Sequence, residues 1–131
     1  MKRFFLFALV FVLIFIGSAC QSNDSPLNIV GSWDITIYPD IFQESTKTHT
    51  ATFQGNIVEG TWIMYVGDDI LCGTYRASGG AVIILIKCTT HKKSAKGVLT
   101  GEFESEDKIS GDFNLTDNES ATTGTWIATR N

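Results

Sequence analysis

The sequence predicts an all-β domain, an eight-stranded antiparallel up-and-down (meander) β-barrel, and three observations carry that expectation. Helical periodicity is absent after residue 28, while turn signals recur at intervals of about 10 to 15 residues. A Gly-x-aromatic tripeptide appears six times, at Gly31-Ser32-Trp33, Gly60-Thr61-Trp62, Gly73-Thr74-Tyr75, Gly101-Glu102-Phe103, Gly111-Asp112-Phe113 and Gly124-Thr125-Trp126. Its middle residue is always polar, the alternation of a sheet that is wet on one side. In a strand, residues i and i+2 share a face, so each Gly lies beside its aromatic on the dry side. Glycine there permits a tight bend or a close approach to the backbone, both of which a closing sheet needs. The aromatics are expected to stack over glycines of neighbouring strands.

In chain order, strands are expected near 29–38, 47–54, 57–66, 69–77, 81–89, 97–104, 108–115 and 121–130. The breaks between them are Pro39-Asp40, Gly55-Asn56, Gly67-Asp68, Gly79-Gly80, His91-Lys92-Lys93, Ser105-Glu106 and Asp117-Asn118. Eight short strands joined by hairpins form a meander barrel. A hairpin centred on Glu106 sets Phe103 opposite Ile109, Gly101 opposite Gly111 and Leu99 opposite Phe113, which yields one apolar face. The inward set runs from Trp33, Ile35 and Ile37 through Val58, Trp62, Met64, Leu71 and Tyr75 to Leu99, Phe103, Ile109, Phe113, Leu115 and Trp126. Segment 81–89 is apolar on both faces, and its outer face is expected to lie under the 39–46 loop or against a partner.

The first 19 residues read differently. Met1-Lys2-Arg3, an apolar run from Phe4 to Ile16 and then Gly17-Ser18-Ala19 make a basic start, a hydrophobic core and a small-residue cleavage site. The run is short of the about 20 residues that a spanning helix needs. Ile16-Gly17-Ser18-Ala19-Cys20 resembles the bacterial lipobox, with Gly17 where Leu is commoner. That resemblance implies a lipoprotein signal peptide over 1–19 and a diacylglycerol, with palmitate-type chains, on Cys20. Gln21 rather than Asp after the Cys resembles the pattern for the outer membrane of a two-membrane cell. The protein is thus expected in the cell envelope, facing the periplasm, with the membrane as partner through Cys20. Residues 20–28 are polar and aperiodic, a tether to the barrel domain at 29–131. Removing 1–19 takes away two positive charges and leaves a formal net charge of −6.

With Cys20 consumed, Cys72 and Cys88 remain in an oxidising compartment, where a disulfide is expected. A hairpin centred on Gly80 sets them directly opposite, whereas a tight Gly79-Gly80 turn offsets them by one residue. Closing so short a loop contributes about 3 kcal/mol or less. A metal site from Cys72, Cys88, His91 and His49 lacks any CxxC or HxxxH spacing. Asp68-Asp69 and Glu104-Ser105-Glu106-Asp107 gather carboxylates at turns, where solvation accounts for them better than weak calcium binding. Lys87, Lys92, Lys93 and Lys96 form the one basic cluster, read as a solubilising loop on an acidic background. Charge and compartment both speak against nucleic acid. Gly-x-Ser-x-Gly, HExxH and a phosphate loop are all missing, so no enzyme chemistry and no cofactor is expected.

Val30-Gly31-Ser32-Trp33-Asp34-Ile35 resembles the opening motif of the calycin superfamily, which includes lipocalins, fatty-acid-binding proteins and avidins. Leu99-Thr100-Gly101-Glu102-Phe103-Glu104-Ser105 and Gly124-Thr125-Trp126-Ile127-Ala128-Thr129 resemble avidin strands in particular. The likeness implies a lipocalin/avidin-like barrel in which a basic residue of the last strand, Arg130, packs over Trp33. No biotin-contacting set maps residue by residue, so no ligand carries over. Such barrels hold a small apolar molecule when partly empty and are inert when filled. Either the aromatics fill a core, or Trp33, Trp62, Tyr75 and Trp126 wall a pocket for a small hydrophobic ligand. Lipoprotein inhibitors of lysozyme and secreted inhibitors of metalloproteases resemble the same plan, which makes a periplasmic protein partner the alternative; a structural lipoprotein is the third reading.

Overall fold

The computed structural model describes residues 26–40, 46–89, 96–116 and 120–131. The expected signal peptide, Cys20, the 41–45 stretch, His91, Lys92, Lys93 and the expected break at Asp117-Asn118 lie outside the described residues. Eight strands follow one another: β1 (Gly31–Pro39), β2 (Lys47–Gly55), β3 (Glu59–Val66), β4 (Asp69–Ser78), β5 (Ala81–Thr89), β6 (Lys96–Ser105), β7 (Lys108–Thr116) and β8 (Ala121–Arg130). Each pairs antiparallel with the next, and β8 pairs with β1, so the sheet closes into an up-and-down barrel. Closure leaves no unpaired sheet edge.

The strands fall close to where the sequence places them, and the exceptions have local causes. The third strand starts at Glu59 rather than 57 because the Asn56 side-chain oxygen accepts the N–H groups of both Val58 (2.8 Å) and Glu59 (3.0 Å). That cap holds Ile57 and Val58 in a turn. Val58 is therefore 55% exposed and not inward. At the tip of the β6–β7 hairpin Ser105 faces Lys108 across a two-residue turn, and beyond an irregularity at Glu104 the register is the expected one, with Phe103 opposite Ile109, Gly101 opposite Gly111 and Leu99 opposite Phe113.

Between β4 and β5 both anticipated registers occur. Gly79 and Gly80 have φ of 59° and 87°, the left-handed pair of a tight hairpin turn. Ser78 thus faces Ala81, which offsets the cysteines by one. A bulge at Lys87 then absorbs one residue, and beyond it Cys72 faces Cys88. The two form a disulfide with Cα atoms 5.1 Å apart. It lies on the outer wall, since Leu71 and Ile86 beside it point inward.

Trp33, Trp126, Tyr75, Phe53, Ile35, Ile84, Ile109 and Val82 are buried in one core. Alternation on β5 is strict, with Val82, Ile84 and Ile86 buried while Ile83 and Leu85 are 47% and 38% exposed. Asp40 N–H donates to Thr123 O at 3.0 Å, which places the start of the 39–46 loop, expected over the outer face of β5, against β8. Its 41–45 part lies outside the described residues.

Candidate ligand cavity

The repeated Gly-x-aromatic motif divides the barrel interior. Trp62 of β3 stands opposite Gly73 of β4, and its indole N–H crosses that glycine to donate to Leu85 O of β5 at 3.0 Å. Trp126 of β8 stands opposite Gly111 of β7 and likewise reaches Thr100 O of β6, at 3.1 Å. Tyr75 of β4 lies over Gly60 of β3 and donates to Asn56 O at 2.8 Å. A Cβ on Gly60 would come within 2.7 Å of the Tyr75 ring. In each case a glycine lets an aromatic ring lie flat across one strand and find its hydrogen bond beyond it. The polar edge of every such ring is thereby satisfied by backbone, as burial requires. Burial also raises the Tyr75 phenol above its usual pKa.

One end of the barrel is filled. Phe53 meets Tyr75 edge-on at 5.6 Å and stacks with Trp62 at 6.2 Å, and Trp33 meets Phe103 edge-on at 6.1 Å. The segment before β1 crosses this end, with Ile29 buried and its carbonyl accepting the Trp33 indole N–H at 2.7 Å. The Arg130 guanidinium lies 4.3 Å from the Trp33 ring centre, as the family resemblance implied.

The other end is open. A cavity of about 350 Å³ enters the barrel there, lined deepest by Ile35, Trp62, Ile84, Leu99 and Phe113, with Ile37, Met64, Leu71, Ile86 and Leu115 nearer the mouth. His49, Thr116, Ser120 and Thr122 supply the polar groups of its rim. Its size falls within the range of small-molecule sites, about 300–1,000 Å³. Of the four expected wall residues only Trp62 lines it. Trp33, Tyr75 and Trp126 do not border it; they are buried in the core, with their donors bonded to Ile29 O, to Asn56 O, and to Thr100 O and Asp112 O. The sequence reading missed Ile84 and Ile86, whose inward face was hidden by the equally apolar Ile83 and Leu85, and His49, a rim residue with no motif to mark it.

Among the described residues, the other groups singled out by the sequence stay on the surface, His49 apart. Cys72 and Cys88 are bonded on the outer wall, whereas His49 faces the cavity, so the described members of the metal set lie on opposite faces. Among the described residues no cluster of three or more His, Cys, Asp or Glu side chains is arranged to hold a metal. Glu104 accepts from the Ser110 hydroxyl and pairs with Lys108 at 2.9 Å. Those two contacts hold its carboxyl below the usual range, the Ser110 bond most. Asp107 pairs with Arg130 at 3.2 Å. Asp68 and Asp69 are exposed at the β3–β4 turn, and Lys87 and Lys96 are exposed at the mouth end.

No protein-family model matches the chain, and no curated protein matches it. The chain is similar to the solved structure of a redesigned β-barrel, with 13% identity and a TM-score of 0.57 over 78% of this chain and 90% of that one. At that identity the likeness speaks to the barrel alone.

Proposed function

We propose that this chain is a lipid-anchored protein of the bacterial cell envelope whose calycin-like barrel binds one small hydrophobic molecule and performs no chemistry on it. One observation carries the binding reading: the barrel is filled at one end and keeps an apolar cavity of about 350 Å³ at the other. A scaffold stabilised only by its core would gain by filling that space, since empty apolar volume costs stability. The arrangement of Arg130 over Trp33 supports the calycin affiliation.

Native mass spectrometry of protein purified from its own host tests the binding. The wild type is expected to carry a co-purifying small molecule. Met64→Trp, which places an indole in the cavity, is expected to lower its affinity at least tenfold, about 1.4 kcal/mol, while the unfolding midpoint stays near wild type. An empty wild-type barrel, or a ligand retained undiminished by M64W, overturns this reading.

The anchor reading rests on residues 16–21 of the sequence. Cys20→Ser is expected to move the protein from the membrane fraction to the soluble fraction, because the acyl chains supply about 0.8 kcal/mol per buried CH₂. Persistence of C20S in membranes sinks lipidation. With Gln21 after the Cys, the outer membrane is the proposed destination in a two-membrane host.

A second reading, an envelope protein that binds a periplasmic hydrolase through its outside, is favoured by exposed Ile83 and Leu85 on the β5 wall. An empty barrel that forms a stoichiometric complex with such an enzyme would support it over the first.

A further inference from the structure

The filled end of the barrel carries a small apolar cluster that neither the core nor the cavity explains. Leu27, Ile57 and Val58 are 36%, 44% and 55% exposed. They border one shallow depression together with Ser78, Gly80 and Phe103. Their outward position is built in. Asn56 caps the turn that bears Ile57 and Val58, and Val58 O accepts the Ala77 N–H at 2.7 Å. Gly80 O accepts the Phe103 N–H at 2.9 Å, and the Leu27 side chain sits close enough to Gly80 that a Cβ there would be 3.5 Å from it. Turn tips on a soluble barrel are ordinarily polar, as Gly67-Asp68 and Glu106-Asp107 are here.

The same end receives the chain from the anchor. Pro26 and Leu27 are the first described residues, and six residues lead from Cys20 to Pro26. Fully extended, they span at most about 20 Å. An acyl chain in the bilayer at Cys20 therefore keeps this end of the barrel near the lipid surface, whatever path the tether takes. An apolar cluster beside a short tether reduces its exposure by resting in the headgroup region.

We propose that the filled end is a membrane-docking face, in which Leu27, Ile57 and Val58 rest against a zwitterionic bilayer and the cavity mouth points away from it. The inference rests on the lipid-anchor reading above. Zwitterionic lipid is specified because the carboxylates at this end, Glu59, Glu102, Glu104, Glu106 and Asp107, outnumber the bases Arg76, Lys108 and Arg130, which leaves a net negative face that anionic headgroups repel. The orientation has a consequence for the cavity. A ligand would enter from the aqueous side and not directly from the bilayer.

The test uses the full chain, processed in its own host and reconstituted into phosphatidylcholine vesicles, with a reporter tryptophan on an exposed turn at either end. Val58→Trp places it at the filled end, and Asp68→Trp places it at the mouth. Trp33, Trp62 and Trp126 are buried and contribute a common background. Brominated acyl chains are expected to quench V58W several-fold more than D68W, and replacing part of the phosphatidylcholine with anionic lipid is expected to weaken that difference. Ile57→Trp provides an independent reporter should V58W misfold. Vesicle flotation separates the two readings. Protein that floats but shows equal quenching at both ends, or more at D68W, overturns the docking face and leaves the anchor standing. Protein that does not float overturns the anchor and the docking with it.

Discussion

Gly111→Ala is expected to destabilise the barrel by about 3 kcal/mol or more, one of the larger effects available to a single methyl group. Gly111 lies between Gly101 on β6 and Trp126 on β8. A Cβ at Gly111 would run into the carbonyl of Thr100 and the Cα of Gly101, both backbone atoms that no rotamer change can clear. Relief requires β6 and β7 to separate. That shift would also draw Thr100 O away from the Trp126 indole N–H, whose bonds to Thr100 O and Asp112 O are both 3.1 Å. The indole N–H keeps Asp112 O on β7, so losing its bond to Thr100 O adds about 0.5–1.5 kcal/mol and not the full cost of an unsatisfied donor. For a domain of this size, with total stability of about 5–15 kcal/mol, much of the folded population is at stake. The control is Thr125→Ala, an exposed residue next to Trp126 on the outer wall, expected to cost under about 1 kcal/mol. Urea unfolding of the two variants decides it: equal midpoints would show that the glycine is not there for close approach.

The Gly-x-aromatic repeat was readable in the chain, and so was its main consequence, because strand periodicity is local and polar residues at every middle position left one choice of face. The register around Glu106 followed from the same alternation. The spatial order of aromatic, glycine and distant carbonyl was not readable, since it depends on which strands are neighbours and on their coiling. Trp33, Tyr75 and Trp126 consequently looked like pocket walls from sequence, where size and flatness are visible but the direction of an N–H or O–H is not. Position along the strand was the available signal for two of them. Trp33 and Tyr75 lie toward the end closed by the tight turns at Asn56, Gly79-Gly80 and Glu106, and the cavity opens among the strand ends that carry His49, Val66, Leu71, Ile86 and Thr122, whereas Trp126, like Trp62, stands near the middle of its strand. The disulfide shows the limit in another way. A two-glycine turn and a directly opposed cysteine pair are incompatible in a regular ladder, and only the bulge at Lys87 satisfies both. A bulge has no dependable sequence mark, so each of the two registers weighed from sequence describes one part of the hairpin.

Arg130→Ala is expected to cost about 3 kcal/mol, and Arg130→Lys about 2 kcal/mol, because the guanidinium fork and not the charge alone closes the filled end. Nη1 donates to Val30 O at 3.1 Å, Nη2 donates to Asn28 O at 2.5 Å and to Glu106 O at 3.1 Å, and Nε donates to Asp107 at 3.2 Å. One side chain thus ties the segment before β1 to the β6–β7 turn while its face covers Trp33. Hydrogen bonds from a charged donor contribute about 1.5–3 kcal/mol each when their acceptors would otherwise be left buried, although acceptors that regain water on substitution reduce that sum. The ion pair itself contributes little. Asp107 is 75% exposed, and such pairs are worth about 0–1 kcal/mol. Lysine keeps the charge but loses the planar fork, so R130K separates the two contributions. If charge were the basis, R130K would match wild type and 1 M salt would weaken wild type to the level of R130A. If the fork is the basis, R130K falls near R130A, salt changes little, and hydrogen exchange quickens at the Trp33 indole N–H and the Val30 amide. Exchange at Leu99 and Phe113, on the cavity side, should then stay close to wild type, because these residues line the opposite end and depend on no contact that Arg130 makes. Uniform quickening across both ends would instead mark a global loss of stability, with Arg130 holding the whole barrel and not one end of it.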